Sequence, residues 1–168
     1  GAVSAGIAIR PVTHVRGEVH RIIAAAPGSV TLLDQNDDDS GVATESSFFT
    51  DDFYQYSAYG ADDFSVPVGH RWKITQVEVA GKYEQGDGPA SSENVFFYRN
   101  KNGLPGRLLM ECDNLLGSDN YGSFAIKLPK SCQVALKGGN TNWISVVSNI
   151  DFNESGEWAW ETRNSQNG

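Results

Sequence analysis

Turn-forming residues interrupt this chain at short intervals, and that spacing limits its fold more than any other feature. Between the turns lie short runs in which apolar and polar residues alternate, such as 123–128 and 133–136. Turn signals recur about every 8–12 residues, which is typical of β-sandwiches and barrels. No helical periodicity of about 12 residues or more interrupts the series. The sequence therefore predicts an all-β fold, a single jelly-roll-like β-sandwich of about 8–10 antiparallel strands.

Two of the predicted strands depart from simple alternation of apolar and polar residues. The continuous apolar run at 95–98 predicts a strand that is buried on both faces. In the run 72–79 the apolar positions change register near Thr75, and a β-bulge is one explanation for such a change.

The composition agrees with one domain of this kind. The chain has 168 residues, of which 39% are hydrophobic, and this is enough to bury a core. Its 18 glycines and single methionine fit many turns better than a helical bundle. We expect residues 1–28 to form an N-terminal extension that packs along the sandwich edge, and residues 29–168 to form the sandwich.

The net charge of −8 disfavours one large class of partner. Proteins that bind nucleic acid present basic surfaces to the phosphates, so we expect no nucleic-acid partner. No apolar run approaches the roughly 18–20 residues that cross a bilayer as a helix, so we expect no transmembrane segment.

The chain has two cysteines, Cys112 and Cys132. Both lie near predicted strand ends, where neighbouring antiparallel strands can be bridged without distortion. The sequence favours a disulfide between them, and two buried free thiols are the alternative. A zinc site is disfavoured, because zinc takes about four ligands and no CxxC or HxxxH pattern is present.

An acidic loop is the candidate metal site. Asp34, Asn36 and Asp38 occupy alternate positions, Asp39 follows, and such short oxygen-bearing side chains can converge on Ca²⁺. The sixth position of an EF-hand loop is glycine, whereas this loop has Asp39 there, so an EF-hand is disfavoured. A calcium site of another kind and a solvated acidic turn are the two interpretations, and the solvated turn is the simpler.

Four aromatic residues are candidate ligand-binding residues. Trp158 and Trp160 lie two positions apart on a predicted strand, so both side chains project to one face. That face is either a platform for stacking on sugar rings or part of the core, and the core interpretation is favoured. Tyr54 and Tyr56 lie in a segment rich in aromatic and acidic residues, which suits a polar binding surface or an amphipathic cover over the sandwich.

Several motifs between about residue 30 and residue 161 occur in an order that resembles a known module. They include ADDFSVP at 61–67, GLPG at 103–106 and WAW at 158–160. Their order resembles a β-sandwich module of secreted bacterial proteins. The resemblance implies an extracellular or cell-surface location, often within a larger exported chain, and it transfers no catalytic residues.

We therefore expect a non-catalytic extracellular module for binding or adhesion, with a carbohydrate or an extracellular protein surface as its partner. We expect it to be a monomer or a domain of a larger exported chain, with Ca²⁺ as the candidate stabilising ion. One alternative is a structural accessory domain of a secreted enzyme with no ligand of its own. A second is a small secreted hydrolase that uses a carboxylate pair, drawn from Asp151, Glu154, Glu157 and Glu161.

Overall fold

The structure, a computed structural model, describes residues 19–24, 30–34 and 39–163. Within these ranges the first seven strands are β1 (Val19–Ala24), β2 (Val30–Asp34), β3 (Asp39–Glu45), β4 (Ser47–Phe49), β5 (Asp62–Val66), β6 (Arg71–Val79) and β7 (Gly81–Glu84). The next seven are β8 (Ser92–Lys101), β9 (Leu104–Leu115), β10 (Ser118–Asn120), β11 (Ser123–Lys127), β12 (Ala135–Lys137), β13 (Asn140–Ile150) and β14 (Glu157–Arg163). The described helical segments are two 3-10 turns, Tyr54–Tyr56 and Lys130–Cys132, and the helix α1 (Phe152–Ser155).

The strands form three hydrogen-bonded sheets. The first has the order β10-β11-β6-β1-β2 with β12 also paired to β6, and the third has the order β3-β14-β7. The second has the order β4-β13-β8-β9, and a fifth strand, β5, also pairs with β13. We call it the five-stranded sheet. Among the described pairs β4 and β13 run parallel and the others run antiparallel. The prediction of an all-β sandwich is confirmed. The described residues form 14 strands, more than the predicted 8–10, and three of them, β4, β10 and β12, have only three residues each.

One hydrophobic core receives side chains from all three sheets. In β6, Trp72 and Ile74 face this core, and after the strand passes Thr75 the core-facing residues become Val77 and Val79. The pairing of β1 with β6 skips Thr75, which is the extra residue of a β-bulge at the position predicted from the sequence. The other large fully buried side chains are Phe64, Phe97, Phe124, Ile126, Leu136, Ile144, Ile150, Trp158 and Trp160.

The structure places Val19–Ala24 inside a sheet and not along its edge. This strand pairs with β6 on one side and with β2 on the other. The predicted domain boundary after residue 28 therefore falls between two strands that pair with each other. Residues 1–18 and 25–29, the rest of the predicted extension and its junction with the sandwich, lie outside the described residues.

The predicted disulfide is present between Cys112 and Cys132, whose Cα atoms are 5.8 Å apart. Cys112 lies on β9 in the five-stranded sheet, and Cys132 ends the 3-10 turn between β11 and β12. Both residues are buried in the hydrophobic core. The bridge therefore ties the five-stranded sheet to a connection of the first sheet.

Two tight turns need a left-handed backbone. Asn102 and Gly103, between β8 and β9, have φ angles of 55° and 76°, as expected for an Asn-Gly turn of type I′. Tyr121 and Gly122, between β10 and β11, have φ angles of 53° and 94°. A Cβ atom at residue 122 would lie 2.8 Å from the Cα of Lys82, so this turn needs glycine for space as well as for conformation.

In the described part of the chain the longest helix has four residues, so none is long and apolar enough to cross a membrane.

Candidate functional site

A pocket of about 270 Å³ lies on the outer face of the five-stranded sheet. We call it the outer-face pocket. Its lining comes from four strands and the connection before β5, and consists of Phe48, Tyr59, Asn94, Phe96, Glu111, Asp113, Asn114 and Asn149. Three aromatic rings, three amides and two carboxylates therefore share one small surface.

The alternation of side chains along β8 explains why part of this strand faces the pocket. Val95 and Phe97 point into the hydrophobic core, so Asn94 and Phe96 point to the opposite face. Phe96 is only 7% exposed, and a second hydrophobic cluster on this face covers it. The run 95–98 is buried on both faces, as its continuous apolar character predicts.

A β-bulge in β9 lets two consecutive side chains, those of Asp113 and Asn114, line the pocket. The partners of Glu93 and Val95 on β9 are Leu115 and Cys112, so three steps on β9 match two steps on β8. Cys112 and Leu115 both pack against the core. The two residues between them both line the pocket, which a regular strand with alternating faces does not allow.

One residue of this bulge has a left-handed backbone. Asn114 has a φ angle of 55°, a conformation that asparagine tolerates better than most residues. Its backbone N–H donates a hydrogen bond to Asn94 Oδ1 at 2.9 Å, which fixes the bulge against β8.

The floor of the pocket is a set of buried amides that hydrogen-bond to each other. Asn94 Nδ2 donates to Asn149 Oδ1, and Asn149 Nδ2 donates back to Asn94 Oδ1, both at 2.9 Å. Asn149 Nδ2 also donates to Ser92 Oγ at 2.8 Å. Asn94 and Asn149 are 8% and 5% exposed, so these bonds form away from bulk water and hold the floor rigid.

We expect Asn149→Ala to lower the free energy of unfolding by about 2 kcal/mol, because it leaves the buried amide of Asn94 without its partner. Urea denaturation of Asn94→Ala, Asn149→Ala and the double variant measures the coupling between the two amides. The coupling should be on the order of 1 kcal/mol. Strictly additive effects of the two substitutions would show that the paired amides do not act together.

The rim has hydrogen-bonding groups that the protein leaves free. Within the described residues, the Glu111 and Asp113 carboxylates and the Asn114 Nδ2 group make no hydrogen bond, and neither acid forms an ion pair. The aromatic side of the pocket has Tyr59 and Phe96 with ring centroids 5.8 Å apart. A rigid floor thus carries an apolar side and a polar rim able to bind a ligand.

The acids of the rim influence the tyrosines beside them. Burial raises the pKa of the Tyr59 hydroxyl, and the nearby charges of Asp113 and Glu111 raise this pKa further. Burial also raises the pKa of Tyr98, with a contribution from Glu111. Both shifts favour the neutral phenols, because a phenolate here would be desolvated and would face like charges.

These shifts predict that the protein loses stability at alkaline pH. The unfolded chain releases tyrosine protons near the ordinary pKa of 10.0, while folded Tyr59, Tyr83 and Tyr98 keep theirs to higher pH. The stabilisation is complete below that pKa and is lost as pH rises through the folded-state values. Urea denaturation between about pH 9 and pH 11 should show this decline, with a smaller slope in Tyr98→Phe. An identical slope in Tyr98→Phe would show that Tyr98 does not contribute to the loss of stability at alkaline pH.

Trp158 and Trp160 do not form an exposed platform. Both side chains are 0% exposed and belong to the hydrophobic core, with ring centroids 6.2 Å apart. As ligand-binding residues they are therefore wrong predictions, and the favoured core interpretation is the one observed. Their spacing correctly indicates a shared face, but that face of β14 is covered by the rest of the sandwich.

Tyr54 and Tyr56 are exposed, at 66% and 63%. They lie in a 3-10 turn of the same connection that carries Tyr59, but they do not line the outer-face pocket. Tyr56 contacts Phe53 with ring centroids 6.1 Å apart. Their role in ligand binding stays a prediction, which sugar binding by the variant Tyr54→Leu tests.

The predicted calcium loop lies mostly outside the described residues. Asn36 and Asp38 fall in the undescribed range 35–38, while Asp34 ends β2 and Asp39 begins β3. Among the described residues no group of three or more His, Cys, Asp or Glu side chains is placed to hold a metal ion. The calcium site stays a prediction, which thermal unfolding with and without EDTA can test.

Two of the acids considered for a hydrolase make local hydrogen bonds. Asp151 Oδ1 accepts the backbone N–H of Glu154 at 3.1 Å and so caps α1. Glu157 Oε1 accepts a hydrogen bond from Gln85 at 2.8 Å. The hydrolase alternative stays a prediction, with no catalytic residue assigned.

The residues of the outer-face pocket were not predicted from the sequence. The alternation along β8 was one signal for this face of the sheet. Asn94, Phe96 and Tyr98 alternate there with core residues. The polar pair Ser148 and Asn149, between apolar residues near the end of β13, was a second signal. The bulge that adds Asn114 depends on strand pairing and has no signal of its own in the sequence.

Comparison of the chain with protein-family models, with curated protein sequences and with solved structures found no match.

Proposed function

We propose that this chain is a non-catalytic extracellular carbohydrate-binding module and that the outer-face pocket binds the sugar. The observation that carries the proposal is the aromatic side of the pocket next to free polar groups on a rigid amide floor. A sugar ring has apolar C–H faces surrounded by hydroxyl groups. Aromatic side chains suit the first feature, and placed amides and carboxylates suit the second.

The size of the pocket narrows the choice of ligand. Small-molecule sites usually enclose about 300–1,000 Å³, and the outer-face pocket, at about 270 Å³, lies just below that range. It therefore suits one ring-sized group. A stable protein–protein interface needs about 800 Å² on each partner, so a protein surface fits this pocket less well.

Two observations support an extracellular location. The structure contains the disulfide between Cys112 and Cys132, and disulfides persist mainly in oxidising compartments outside the cytoplasm. The ordered motifs resemble a module of secreted bacterial proteins, which also favours export.

Replacing Tyr59 by leucine tests the function. Leucine keeps an apolar side chain against Phe96 but removes the flat ring and the hydroxyl, so we expect about tenfold weaker binding to sugars that the wild-type protein binds. Tyr54→Leu is the matched control, because Tyr54 lies in the same connection and outside the pocket, and its affinity should stay within about twofold. Binding to an immobilised glycan panel is the measurement, with circular dichroism to check folding.

The control variant also tests the prediction that the exposed residues Tyr54 and Tyr56 bind the ligand. Loss of binding in Tyr54→Leu with unchanged binding in Tyr59→Leu would move the site to the exposed tyrosines of the 3-10 turn. Equal affinity in all three proteins would exclude both tyrosines from the sugar site.

A structural accessory domain is the second candidate. The observation that favours it is that Asn94 and Asn149 satisfy each other without a ligand. This candidate predicts that the folded wild-type protein binds no sugar on the panel.

A further inference from the structure

The charges around the outer-face pocket all have one sign. Glu111 and Asp113 are the two charged residues in its lining, which contains no Lys, Arg or His among the described residues. Both acids lie on β9, at the edge of the five-stranded sheet, and both are exposed. A ligand that enters the pocket therefore meets two carboxylates and no compensating cation of the lining.

These carboxylates differ from acids that the fold uses for its own contacts. Asp51 accepts the backbone N–H groups of Phe53 and Asn153, and Asp119 accepts hydrogen bonds from Tyr83 and Gly122. Glu111 and Asp113 have no such hydrogen bond and no ion pair within the described part of the chain. Their oxygens remain available as acceptors for a ligand.

The negative charges act on the aromatic side of the pocket. The charges of Asp113 and Glu111 help to keep the Tyr59 hydroxyl protonated, so their field reaches this ring. Aromatic faces attract cations through their quadrupole, and the partly exposed ring of Tyr59, which packs against Phe96, is such a face. The acidic rim and the aromatic side of the pocket therefore both favour a positively charged ligand.

We propose that the outer-face pocket selects amino sugars with a free ammonium group over neutral and acidic sugars. This inference rests on the proposed carbohydrate-binding function and specifies the charge of the ligand. The ammonium group donates three hydrogen bonds, which Glu111 and Asp113 accept, while the sugar ring contacts Tyr59. The free Nδ2 group of Asn114 donates to a hydroxyl or ring oxygen. A carboxylated sugar would place a third negative charge beside these two acids.

Calorimetric titration with three probes of equal length tests the selectivity. The probes are the trisaccharide of β-1,4-linked glucosamine, its fully N-acetylated counterpart, and a trisaccharide of glucuronate. We expect the glucosamine trisaccharide to bind about five- to tenfold more tightly than the N-acetylated one, and the glucuronate probe to bind least. Raising the ionic strength should weaken only the first of these complexes.

The double variant Glu111→Gln/Asp113→Asn tests the residues. It keeps the shape of both side chains and should remove the preference, so that the glucosamine probe no longer binds more tightly than the N-acetylated probe. The matched control is Asp87→Asn/Glu154→Gln, which removes the same charge from exposed acids outside the pocket. The control should keep the preference. Its loss in the control would indicate attraction by the overall charge and would overturn the inference.

The remaining outcomes separate this inference from the function on which it rests. Equal binding of the glucosamine and N-acetylated probes, unchanged in Glu111→Gln/Asp113→Asn and weakened by Tyr59→Leu, would overturn the inference and leave the sugar site in place. Absence of binding to every sugar on the panel, by a protein shown to be folded, would overturn both.

Discussion

Replacing Trp158 by alanine is expected to lower the free energy of unfolding by about 3–5 kcal/mol, the usual cost of removing a large aromatic side chain from a core. The indole is 0% exposed. Its ring centroid is 4.9 Å from that of Phe124 and 6.2 Å from that of Trp160, so alanine would leave a cavity between aromatic side chains. Its Nε1 group donates a hydrogen bond to the Gly122 carbonyl at 2.7 Å, which holds the turn between β10 and β11 on the core.

Two further variants separate these contributions. Trp158→Phe keeps a ring in the core but leaves the Gly122 carbonyl without its donor, so it should cost about 1–3 kcal/mol. Trp143→Ala is the matched control, because Trp143 is partly exposed on the outer face and should cost less than Trp158→Ala. Urea denaturation followed by circular dichroism gives all three values. Wild-type stability in Trp158→Ala, combined with lost sugar binding, would restore the exposed-platform interpretation of this tryptophan.

Removing the disulfide is expected to have the second largest effect. The double variant Cys112→Ala/Cys132→Ala should lower the free energy of unfolding by about 3 kcal/mol, because the unfolded chain is no longer closed into a loop. The two cysteines are 20 positions apart, and the bridge links β9 of the five-stranded sheet to the 3-10 turn between β11 and β12. The loss acts mainly through the unfolded chain, so we expect the strand content of the folded protein to stay the same.

A reducing agent provides the internal control for this variant. Dithiothreitol should shift the urea midpoint of the wild-type protein towards that of Cys112→Ala/Cys132→Ala and leave the variant unchanged. Equal midpoints for oxidised wild type and the double variant would show that the bridge does not stabilise the fold.

Regular strands and tight turns could be predicted from the sequence because their signals are local. The alternation predicted for 123–128 is observed in β11, and the Asn-Gly turn at 102–103 likewise depends only on neighbouring residues. The bulge at Thr75 could also be located, because a change of register in the apolar pattern is visible within one strand. Each of these features is set by residues only a few positions apart.

Features that depend on distant pairing could not be predicted in this way. The strand β4 has three residues and pairs in parallel with β13, about 100 positions later, so its local pattern carries little information. The spacing of Trp158 and Trp160 fixes a common face, but not whether that face meets solvent or core. That choice is made by Phe124 and the other side chains that cover β14.

The outer-face pocket could not be predicted from the sequence for the same reason. Its lining comes from separate parts of the chain, from Phe48 on β4 to Asn149 on β13, and a register shift between β8 and β9 completes it. The amides on its floor are held by one another, and its acids are free at the rim. This division between a rigid floor and an open polar rim is the basis for the proposed sugar site.

Nuclear magnetic resonance titration of the wild-type protein with the glucosamine and N-acetylated trisaccharides tests the central claim most directly, because it reports where the sugar binds. The side-chain amide signals of Asn94, Asn114 and Asn149 can be assigned by single substitution. We predict that these three signals and the ring signals of Tyr59 shift with saturation, while those of Tyr54 and Tyr56 stay in place. Saturable binding that leaves the three amide signals unchanged would contradict the assignment of the outer-face pocket as the sugar site.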